Sequence, residues 1–494
     1  MKIRLESFRI PGAGFLLASL VLVVIAVPPA AAQAPGTESG PPAAPSRESS
    51  SPAAVPAISM QQSFSGSVPE GKAIPEIISI SLGDAMQRGL RQNLGVLLAS
   101  DSSLSARGQR WKELSELLPN VSARATETAQ QQSLAAFGFT IPGLPRVIGP
   151  FNYFDTRAYW TQSIFNYQYI EKERASVQNL KAAQHNLHDA RELVVLAVSN
   201  AYLQALAGAA RVETAEAQVD TAQALFAKAQ DQQHAGVTPA IDTLRSNVEL
   251  QTRQQQLIAA RNSYAKQKLA LARVIGLPLG QEFRLSDRNP YEPLATAGLD
   301  ESLRRAYASR QDYQAAMSQL RAAELSRKAA TAEHYPTLDM EADYGVIGVA
   351  PGTSNGTFHV AGNLNIPIFQ GGRAHADILE AEATLRQIQS QLEDLRGRID
   401  NDVRTALLDL ASADEQVQVA RSSVDLAQQT LTQAQDRFTA GVTDNLEVIQ
   451  AQEAVASANE TYISSLYAHN IAKVSYARAI GYAEEGVKQY LKGH

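Results

Sequence analysis

Two short motifs have residue types that could carry chemistry, a histidine pair and a double glycine. His185 and His188 stand at positions i and i+3, a spacing that places both rings on one helix face and can suit a metal ion. No further ligand is identifiable near them, and the surrounding Gln and Asp residues favour a solvated pair. Gly371 and Gly372 follow a predicted strand but lack the Lys-Ser/Thr or third glycine of a nucleotide-binding loop. We therefore predict no enzyme activity, no cofactor and no metal site.

The composition excludes several other classes of function. The chain has 494 residues, with 44 Lys+Arg against 50 Asp+Glu and a net charge of -6. A nucleic-acid binder would show a basic stripe, so we expect no nucleic-acid partner. The lack of cysteine excludes disulfides, thiolate metal sites and cysteine nucleophiles. It also excludes a lipid-modified N-terminal cysteine, so the protein is predicted not to be lipid-anchored and must meet a membrane through its fold.

The N-terminal region predicts export followed by a tether. Residues 1–32 have the pattern of a signal peptide, with basic residues, an apolar run at 15–27 and three alanines at 30–32 before the cleavage site. As a helix the run would rise only about 20 Å, too short for a bilayer core. Residues 33–77 are rich in Pro, Ser and Ala and cannot bury enough apolar surface to offset their chain entropy. We predict a disordered tether there, with folded structure beginning near Ile78.

The rest of the chain is a tandem duplication. Residues 229–238 align with 434–443, with seven of the ten positions identical, and the same offset places 272–276 on 477–481. The matches stay in order along the chain, which predicts two repeats at 78–290 and 291–482 and a C-terminal tail at 483–494. Each repeat has the predicted order helix, strand, loop, strand, very long helix, tight turn, long helix.

Both repeats contain unusually long helices. Residues 170–233 and 374–439 are rich in Ala, Gln, Glu and Leu and contain no proline, so each helix could reach about 95 Å. The return helices carry mainly apolar residues every seven positions, which favours coiled-coil packing. These residues are Leu250, Leu257, Tyr264 and Leu271 in the first repeat and Val455, Tyr462, His469 and Tyr476 in the second.

The turns between these helices are specified by glycine and threonine. Gly236 and Gly441 stand where a helix ends in a left-handed residue. Thr238 is predicted to cap the following helix, with a proline at the first helical position. In the second repeat Thr443 or Asp444 has the same predicted role. Each turn should therefore join two antiparallel helices at one end of the molecule.

Four segments alternate between apolar and polar residues, as strands do when their faces meet different surroundings. In the clearest, which begins at Leu338, apolar residues alternate with Asp339, Glu341 and Asp343. Such alternation over about ten residues is typical of membrane-barrel strands, and also of a half-buried soluble sheet. Four strands cannot close a membrane barrel, whose minimum is about eight. Either the sheet packs on soluble protein or several chains contribute strands to one barrel.

This layout resembles the TolC-type outer-membrane efflux family over residues 82–482. The resemblance is carried by the tandem halves, the Pro-Ile-Phe-Gln-Gly-Gly-Arg run at 367–373, the two Ala-Gly-Val-Thr turns and the paired Arg-Val-Ile-Gly and Arg-Ala-Ile-Gly endings. It implies an α+β fold in which long antiparallel coiled-coil hairpins form a periplasmic tunnel. It also implies a homotrimer in which each protomer gives four strands to one shared outer-membrane barrel. Its implied partners are a periplasmic adaptor protein and an inner-membrane pump.

The function that the resemblance implies is an outer-membrane efflux channel, a duct that does not transform its substrate. Asp339, Glu341 and Asp343 would face the lumen, where threefold symmetry would make acidic rings that favour cations. The residues expected to contact lipid are Trp160, Leu338, Met340, Tyr344, Phe358, Val360 and Leu364. The alternative function is a soluble periplasmic coiled-coil adaptor or scaffold. It would bury the apolar strand face in protein, whereas a duct exposes that face to lipid.

The two turns would lie at the periplasmic tip, where family members meet the adaptor. Their small residues would let another helical hairpin approach closely. The implied docking residues are Ala235, Gly236, Val237 and Thr238 in the first repeat and Ala440, Gly441, Val442 and Thr443 in the second. Four acids near the turns could help to hold the tunnel mouth closed through hydrogen bonds, namely Asp231, Asp242, Asp436 and Glu447.

Overall fold

The computed structural model describes residues 64–491 apart from 134–135, 137, 139–144, 146, 237, 288–290, 441 and 444. The predicted signal peptide, the tether up to residue 63, Val237, Gly441 and the last three residues lie outside this part. The helices are α1 (Leu82–Gln92), α2 (Leu94–Ser115), α3 (Tyr167–His234), α4 (Ala240–Val274), α5 (Leu299–Ser309), α6 (Gln311–Thr331), α7 (Arg373–Thr439), α8 (Asn445–Ala479) and α9 (Ala483–Tyr490).

Six strands form two sheets in the described part of the chain. They are β1 (Ile78–Ile80), β2 (Asn120–Ser133), β3 (Val147–Phe165), β4 (Phe283–Leu285), β5 (Thr337–Gly348) and β6 (Asn355–Asn365). The short β1 and β4 pair in parallel, and the other four form an antiparallel sheet in the order β2-β3-β5-β6. Each of the four predicted alternating segments is therefore a strand of one sheet.

The two repeats give matching halves. The long helices α3 and α7 have 68 and 67 residues, and the return helices α4 and α8 have 35 each. At 1.5 Å per residue the long helices extend about 100 Å, as predicted from their lack of proline. The seven-residue stripes of the return helices are buried or half-buried at every position. Packing against a neighbouring helix, rather than intrinsic propensity, is what supports helices of this length.

Each expected first helix of a repeat is interrupted once, which corrects the prediction of a continuous helix. In the first repeat Asn93 takes an extended conformation, and its side chain accepts a hydrogen bond from Gly95 N at 2.9 Å to start α2. In the second repeat Arg310 is the extended residue between α5 and α6. A Cβ on Gly481 would lie 2.6 Å from Arg310 N, so the second break is held by a close backbone contact from the end of α8.

Part of the predicted tether is attached to the folded region, so that prediction is wrong for residues 64–77. Ser67 forms an isolated bridge with Asn93, and Asn93 Nδ2 donates to Phe64 O at 2.8 Å. At the other end, the predicted C-terminal tail contains α9. Its Ala483 and Val487 are fully buried in the main apolar core, because α9 closes over α3 and α8.

A buried ionic cluster joins the two repeats near the helix break of the second repeat. Arg478 on α8 donates to Glu192 Oε2 on α3 at 2.9 Å and also bonds Asp189. Arg310 pairs with Asp402 on α7 at 2.9 Å. Burial raises the pKa of the Glu192 carboxyl to about 7, against the opposing charge of Arg478, and it also raises the pKa of Asp189. The junction therefore depends on arginines that compensate poorly solvated carboxylates.

One helix is long and apolar enough to cross a membrane by composition alone. An 18-residue window of α3 has a mean hydropathy of 1.6, and 56% of that window is buried within the protein. Val194, Val195 and Val198 of α3 are wholly buried in the main core. Because core helices pass the same compositional test, this window is weak evidence for a membrane span.

Candidate functional surfaces of the sheet and the helical tips

The register of the four-stranded sheet separates a polar face from an apolar one. Asp339 lies opposite Ser163 and Asn363, and Glu341 lies opposite Thr161 and Ala361. Paired residues of neighbouring strands share a face, so the three predicted acids, Asp343 included, lie together on one side of the sheet. The predicted lipid-contacting residues all lie on the other side, at Trp160, Leu338, Met340, Tyr344, Phe358, Val360 and Leu364.

The apolar face is not covered by the chain itself. Phe358 is 77% exposed and Tyr344 is 67% exposed. Val121 on β2, which pairs with Trp160, is 70% exposed. An apolar surface of this extent marks a binding site or a membrane-facing surface in soluble and membrane proteins alike. A soluble scaffold would instead bury this face in protein.

A bulge ends the regular alternation of β3. Ser163 pairs with Asp339 but Phe165 pairs with Leu338, so Ile164 is an extra residue without a partner across the sheet. Simple alternation would place Ile164 on the apolar face with Trp160. The inserted residue instead places Phe165 there, because a β-bulge shifts the side-chain period by one position.

The polar face carries an ion-pair network that alternation alone does not reveal. Arg157 Nη1 lies 2.6 Å from Asp343 Oδ1, and Arg157 Nε lies 2.8 Å from Asp155 Oδ1. His359 on β6 lies 3.7 Å from the other oxygen of Asp343. Of the three predicted acids, Asp343 is therefore compensated by a cation on β3. Glu341 accepts a hydrogen bond from Asn363 Nδ2 at 3.0 Å, and no ion pair within the described residues includes Glu341 or Asp339.

The sheet has two open edges in the described part of the chain. β2 pairs only with β3, and β6 pairs only with β5. Their lengths of 14 and 11 residues make both edges long. Unpaired N–H and C=O groups along such an edge are a template for another strand, and long exposed edges are otherwise avoided. The sheet is therefore incomplete as a single chain.

The helical turns lie side by side at one end of the hairpins. Asn445 Nδ2 at the start of α8 donates to Asp242 O on α4 at 3.3 Å, and it also bonds Ser246. Lys228 Nζ on α3 donates to Thr439 Oγ1 at the end of α7 at 2.7 Å. These bonds link the first hairpin to the second, as expected if both turns form a single tip.

The first turn confirms the predicted glycine and corrects the predicted cap. Gly236 has φ +71, and none of the residues that the structure describes, its chain neighbours aside, lies within 4 Å of the position of a Cβ there. α4 begins one residue later than predicted, at Ala240, so Pro239 and not Thr238 holds the cap position. Pro239 has no side-chain donor or acceptor, and Thr238 Oγ1 is buried without a hydrogen-bond partner in the structure. Val237, which lies between Gly236 and Thr238, is outside the described residues.

The second turn is partly described. Ala440 ends α7 with its N–H bonded to Asp436 O at 2.9 Å, and Val442 is 69% exposed. Thr443 donates its hydroxyl to the Glu447 carboxylate. This contact is not the predicted cap, in which the threonine oxygen would accept a backbone N–H of the helix. The predicted roles of Gly441 and Asp444 concern residues outside the described part.

The four acids near the tip differ in their surroundings. Asp242 is buried and lies 3.6 Å from Arg245, and Glu447 lies 2.9 Å from Arg437. Asp231, like Asp436, contributes a main-chain oxygen that accepts an N–H at its helix end. Asp242 and Glu447 are thus bonded within one chain, and their predicted part in closing a tunnel mouth remains a proposal.

His185 of the histidine pair and the double glycine have structural roles. His185 Nδ1 lies 2.8 Å from Gln311 Oε1, which ties α3 to α6. Among the residues that the structure describes, no group of three metal-ligating side chains comes together. Gly371 and Gly372 have φ values of +63 and +86, and Gly372 is the residue from which α7 starts. The double glycine is therefore a strand-to-helix turn.

Solved structures with the same architecture are found in bacterial outer membranes. The outer membrane protein VceC of Vibrio cholerae superimposes with a TM-score of 0.69 at 18% identity, covering 81% of this chain and 96% of VceC. The CmeC outer membrane channel of Campylobacter jejuni gives a TM-score of 0.70 at 16% identity, covering 83% of this chain and 88% of CmeC. At these identities the comparison shows the fold, and the predicted α+β fold with long helical hairpins is confirmed.

Sequence comparisons lead to the same group. The pyoverdine export outer membrane protein OpmQ of Pseudomonas aeruginosa is 25% identical over 327 residues, or 64% of this chain and 67% of OpmQ. The alkaline protease secretion protein AprF of the same organism is 24% identical over 306 residues, or 60% of this chain and 63% of AprF. The matched segment thus spans about two thirds of each relative.

A family model covers both repeats. The model described as outer membrane efflux protein matches residues 105–277 and 302–482. These segments contain the four-stranded sheet, most of the long helices and both turns. They make up more than half of the chain. The chain therefore belongs to the outer membrane efflux protein family, and its predicted function as an outer-membrane efflux channel is confirmed, while the soluble-scaffold alternative gains no support.

Proposed function

We propose that three copies of the chain form one duct, with their sheets closed into a shared outer-membrane barrel and their helices forming a periplasmic tunnel. The observation that carries this proposal is the open sheet, because β2 and β6 are long unpaired edges and one face is apolar and exposed. Joining β6 of one copy to β2 of the next would satisfy both edges, and closure alone removes edges from a sheet. Three such sheets give twelve strands, above the minimum of about eight for a membrane barrel.

Exposed apolar stripes on the helices support lateral assembly. On α4 five exposed apolar residues are separated by 3, 4, 10 and 11 positions, spacings that place them on one helix face, and each is between 48% and 69% exposed: Ile241, Leu244, Val248, Ile258 and Leu269. On α7 the residues Leu408, Val419 and Leu426 are between 61% and 71% exposed. A helix of a tunnel wall needs a partner on both flanks. The buried flank of α4 faces its own hairpin, and this second stripe fits a helix of the neighbouring copy.

In the proposed duct the two faces of the sheet contact different surroundings. The polar face, with Asp339, Glu341 and Asp343, lines the water-filled lumen, and the apolar face contacts lipid. Alternation of lumen-facing and lipid-facing residues is the rule for membrane barrels. The seven predicted lipid-contacting residues share one face and the acids share the other, as this placement requires.

The helical tip is the proposed docking site for a periplasmic adaptor, through which the duct receives substrate from an inner-membrane pump. Val442 is exposed, and the described part of the chain leaves open space around Gly236, both of which support close approach by another hairpin. Export by the N-terminal signal would place the protein in the outer membrane without a lipid anchor. The relatives are named for pyoverdine export and for alkaline protease secretion. Substrates as different as these are consistent with a duct whose substrate is selected by the inner-membrane pump.

Replacing Gly236 with valine should weaken adaptor binding several-fold while trimers still reach the membrane. A β-branched residue at φ +71 is strained by about 1–3 kcal/mol, so the turn would change its path although space is open around it. Gly236→Asn is the matched control, because asparagine tolerates the left-handed region. Crosslinking to the adaptor in cells measures the effect. Equal crosslinking of the valine variant and the wild type would remove this turn from the docking site.

The mass of detergent-extracted protein tests the duct itself. We expect membrane-associated material that dissolves only with detergent and has the mass of three subunits. Closed barrels have no edge through which further copies could add, so larger assemblies should be absent. A mature protein that stays soluble and monomeric after lysis without detergent would overturn the proposal.

A further inference from the structure

The side chain of Arg157 crosses from β3 over β5 through a gap left by a glycine. Gly345 is the register partner of Arg157. A Cβ on Gly345 would lie 2.3 Å from Arg157 Cγ and 2.3 Å from Thr156 O, so no larger residue fits beneath the arginine. The guanidinium thereby reaches Asp343, with Nη1 2.6 Å from Oδ1. The arginine lies flat on the polar face, with 17% of its side chain exposed.

The polar face is divided into two zones along the strands. Asp339 and Glu341 lie near the start of β5, at the end of the sheet where α3 begins and α6 ends. Their carboxylates have no cationic partner within the described residues. Further along, Arg157 is bonded to Asp343 and Asp155, so no acid among the described residues of that zone lacks a cation nearby.

A second arginine belongs to the outer zone. Arg124 on β2 is the register partner of Arg157, and its guanidinium lies 5.7 Å from the centre of the Tyr159 ring. In the outer zone, Arg124 and Arg157 together balance the charges of Asp155 and Asp343. Notably, like charges directly opposite each other on neighbouring strands are unfavourable. The pairing of Arg157 with two carboxylates offsets that repulsion.

We propose that Arg157, held over Gly345, sets the ion selectivity of the duct by cancelling the charge of Asp343. The inference rests on the proposed function, in which this face lines the lumen. Cation attraction is then confined to the zone of Asp339 and Glu341 next to the helical tunnel, and the outer zone lets cations leave. A conducting pore needs a zone that attracts the ion and a zone that releases it, because an ion that binds too tightly does not leave.

Reversal potentials of purified trimers in planar lipid bilayers under a KCl gradient test this proposal. Arg157→Gln removes the cation that is bonded to both Asp155 and Asp343, and should raise the K⁺/Cl⁻ permeability ratio at least twofold. Asp343→Asn frees the arginine and should lower the ratio at least twofold. Thr126→Ser, on the same face without a change of charge, is the control and should leave the ratio as in the wild type. An unchanged ratio in the Arg157→Gln trimer would overturn the inference.

Gly345→Ala tests the positioning role of the glycine. The added methyl should push the guanidinium away from Asp343, so the carboxylate is no longer cancelled and the permeability ratio should rise, as in Arg157→Gln but by less because the net charge is unchanged. Because Gly345 is proposed to act only through Arg157, the double variant Arg157→Gln/Gly345→Ala should match Arg157→Gln. Additive effects would show that Gly345 does not position the arginine. If the alanine variant yields no trimers, the Arg157 and Asp343 variants still decide the inference.

The outcomes separate this inference from the proposed function. Wild-type protein that forms no trimers and no conducting pores would contradict the duct, whatever the charge variants do. If wild-type trimers conduct but the Arg157 and Asp343 variants have the wild-type permeability ratio, the duct stands and the selectivity role of Arg157 is rejected. Changes in the predicted opposite directions would support both.

Discussion

Replacing Val248 with glutamate should reduce trimers at least tenfold while the monomer still folds. Val248 is 66% exposed in one chain and belongs to the outer stripe of α4, so the substitution disturbs no core of the monomer. In a ring of three, every subunit contact would receive one carboxylate at an apolar seam. Burying an unpaired charge costs several kcal/mol or shifts its pKa, and symmetry repeats the cost at each contact.

The matched control lies one turn away on the same helix. Thr252 is exposed, and its hydroxyl bonds only Val248 O, at 2.9 Å. Thr252→Glu adds the same charge to a residue that is not part of the exposed apolar stripe of α4 and should leave trimers at the wild-type level. Size-exclusion chromatography with light scattering in detergent distinguishes trimer from monomer, and circular dichroism checks that the helices persist. If both variants remain trimeric, the outer stripe of α4 is not a subunit contact.

The faces of the sheet and the lengths of the long helices were predictable because both depend on local periodicity. Each strand residue points opposite to its neighbour, so the alternation around Asp339 to Asp343 predicts which side chains share a face. Residues 374–439 contain no proline, and α7 begins only one residue earlier, at Arg373. Strand faces and helix lengths can therefore be predicted from one segment without knowing which segment packs against it.

The features that sequence reasoning missed depend on segments far apart in the chain. The Arg157–Asp343 pair joins residues 186 positions apart, and only the register of β3 on β5 brings them together. The break at Arg310 is held by Gly481, at the end of α8. The break at Asn93 did have a local signal, because asparagine is a preferred helix cap.

Replacing Arg478 with methionine should destabilise the junction of the two repeats by about 3–5 kcal/mol, the usual cost of breaking a buried ion pair by removing one partner. Arg478 is bonded to Glu192 and Asp189, and all three side chains are at most 19% exposed. Methionine fills much of the space but leaves the two carboxylates side by side without the cation that is bonded to them. The apparent melting temperature at a fixed scan rate, followed by circular dichroism, measures the loss.

The loss should depend on pH with a defined sign. Glu192 already has a folded-state pKa of about 7, raised by burial above its ordinary value of 4.5. A raised pKa contributes stability that is present at pH 4.5 and is lost as the pH rises through about 7. Without Arg478 the folded protein should bind protons more tightly still, so the variant should fall further below the wild type at pH 8 than at pH 5.

A variant without the two acids provides the control for this effect. In the triple variant Arg478→Met/Asp189→Asn/Glu192→Gln no buried carboxylate is left unpaired, so most of the stability should return and the added pH dependence should vanish. Replacing a whole buried ionic group by neutral residues is often close to neutral in stability, whereas removing one member is costly. If the triple variant is as unstable as Arg478→Met at pH 8, the arginine acts through packing of its side chain and not by compensating Asp189 and Glu192.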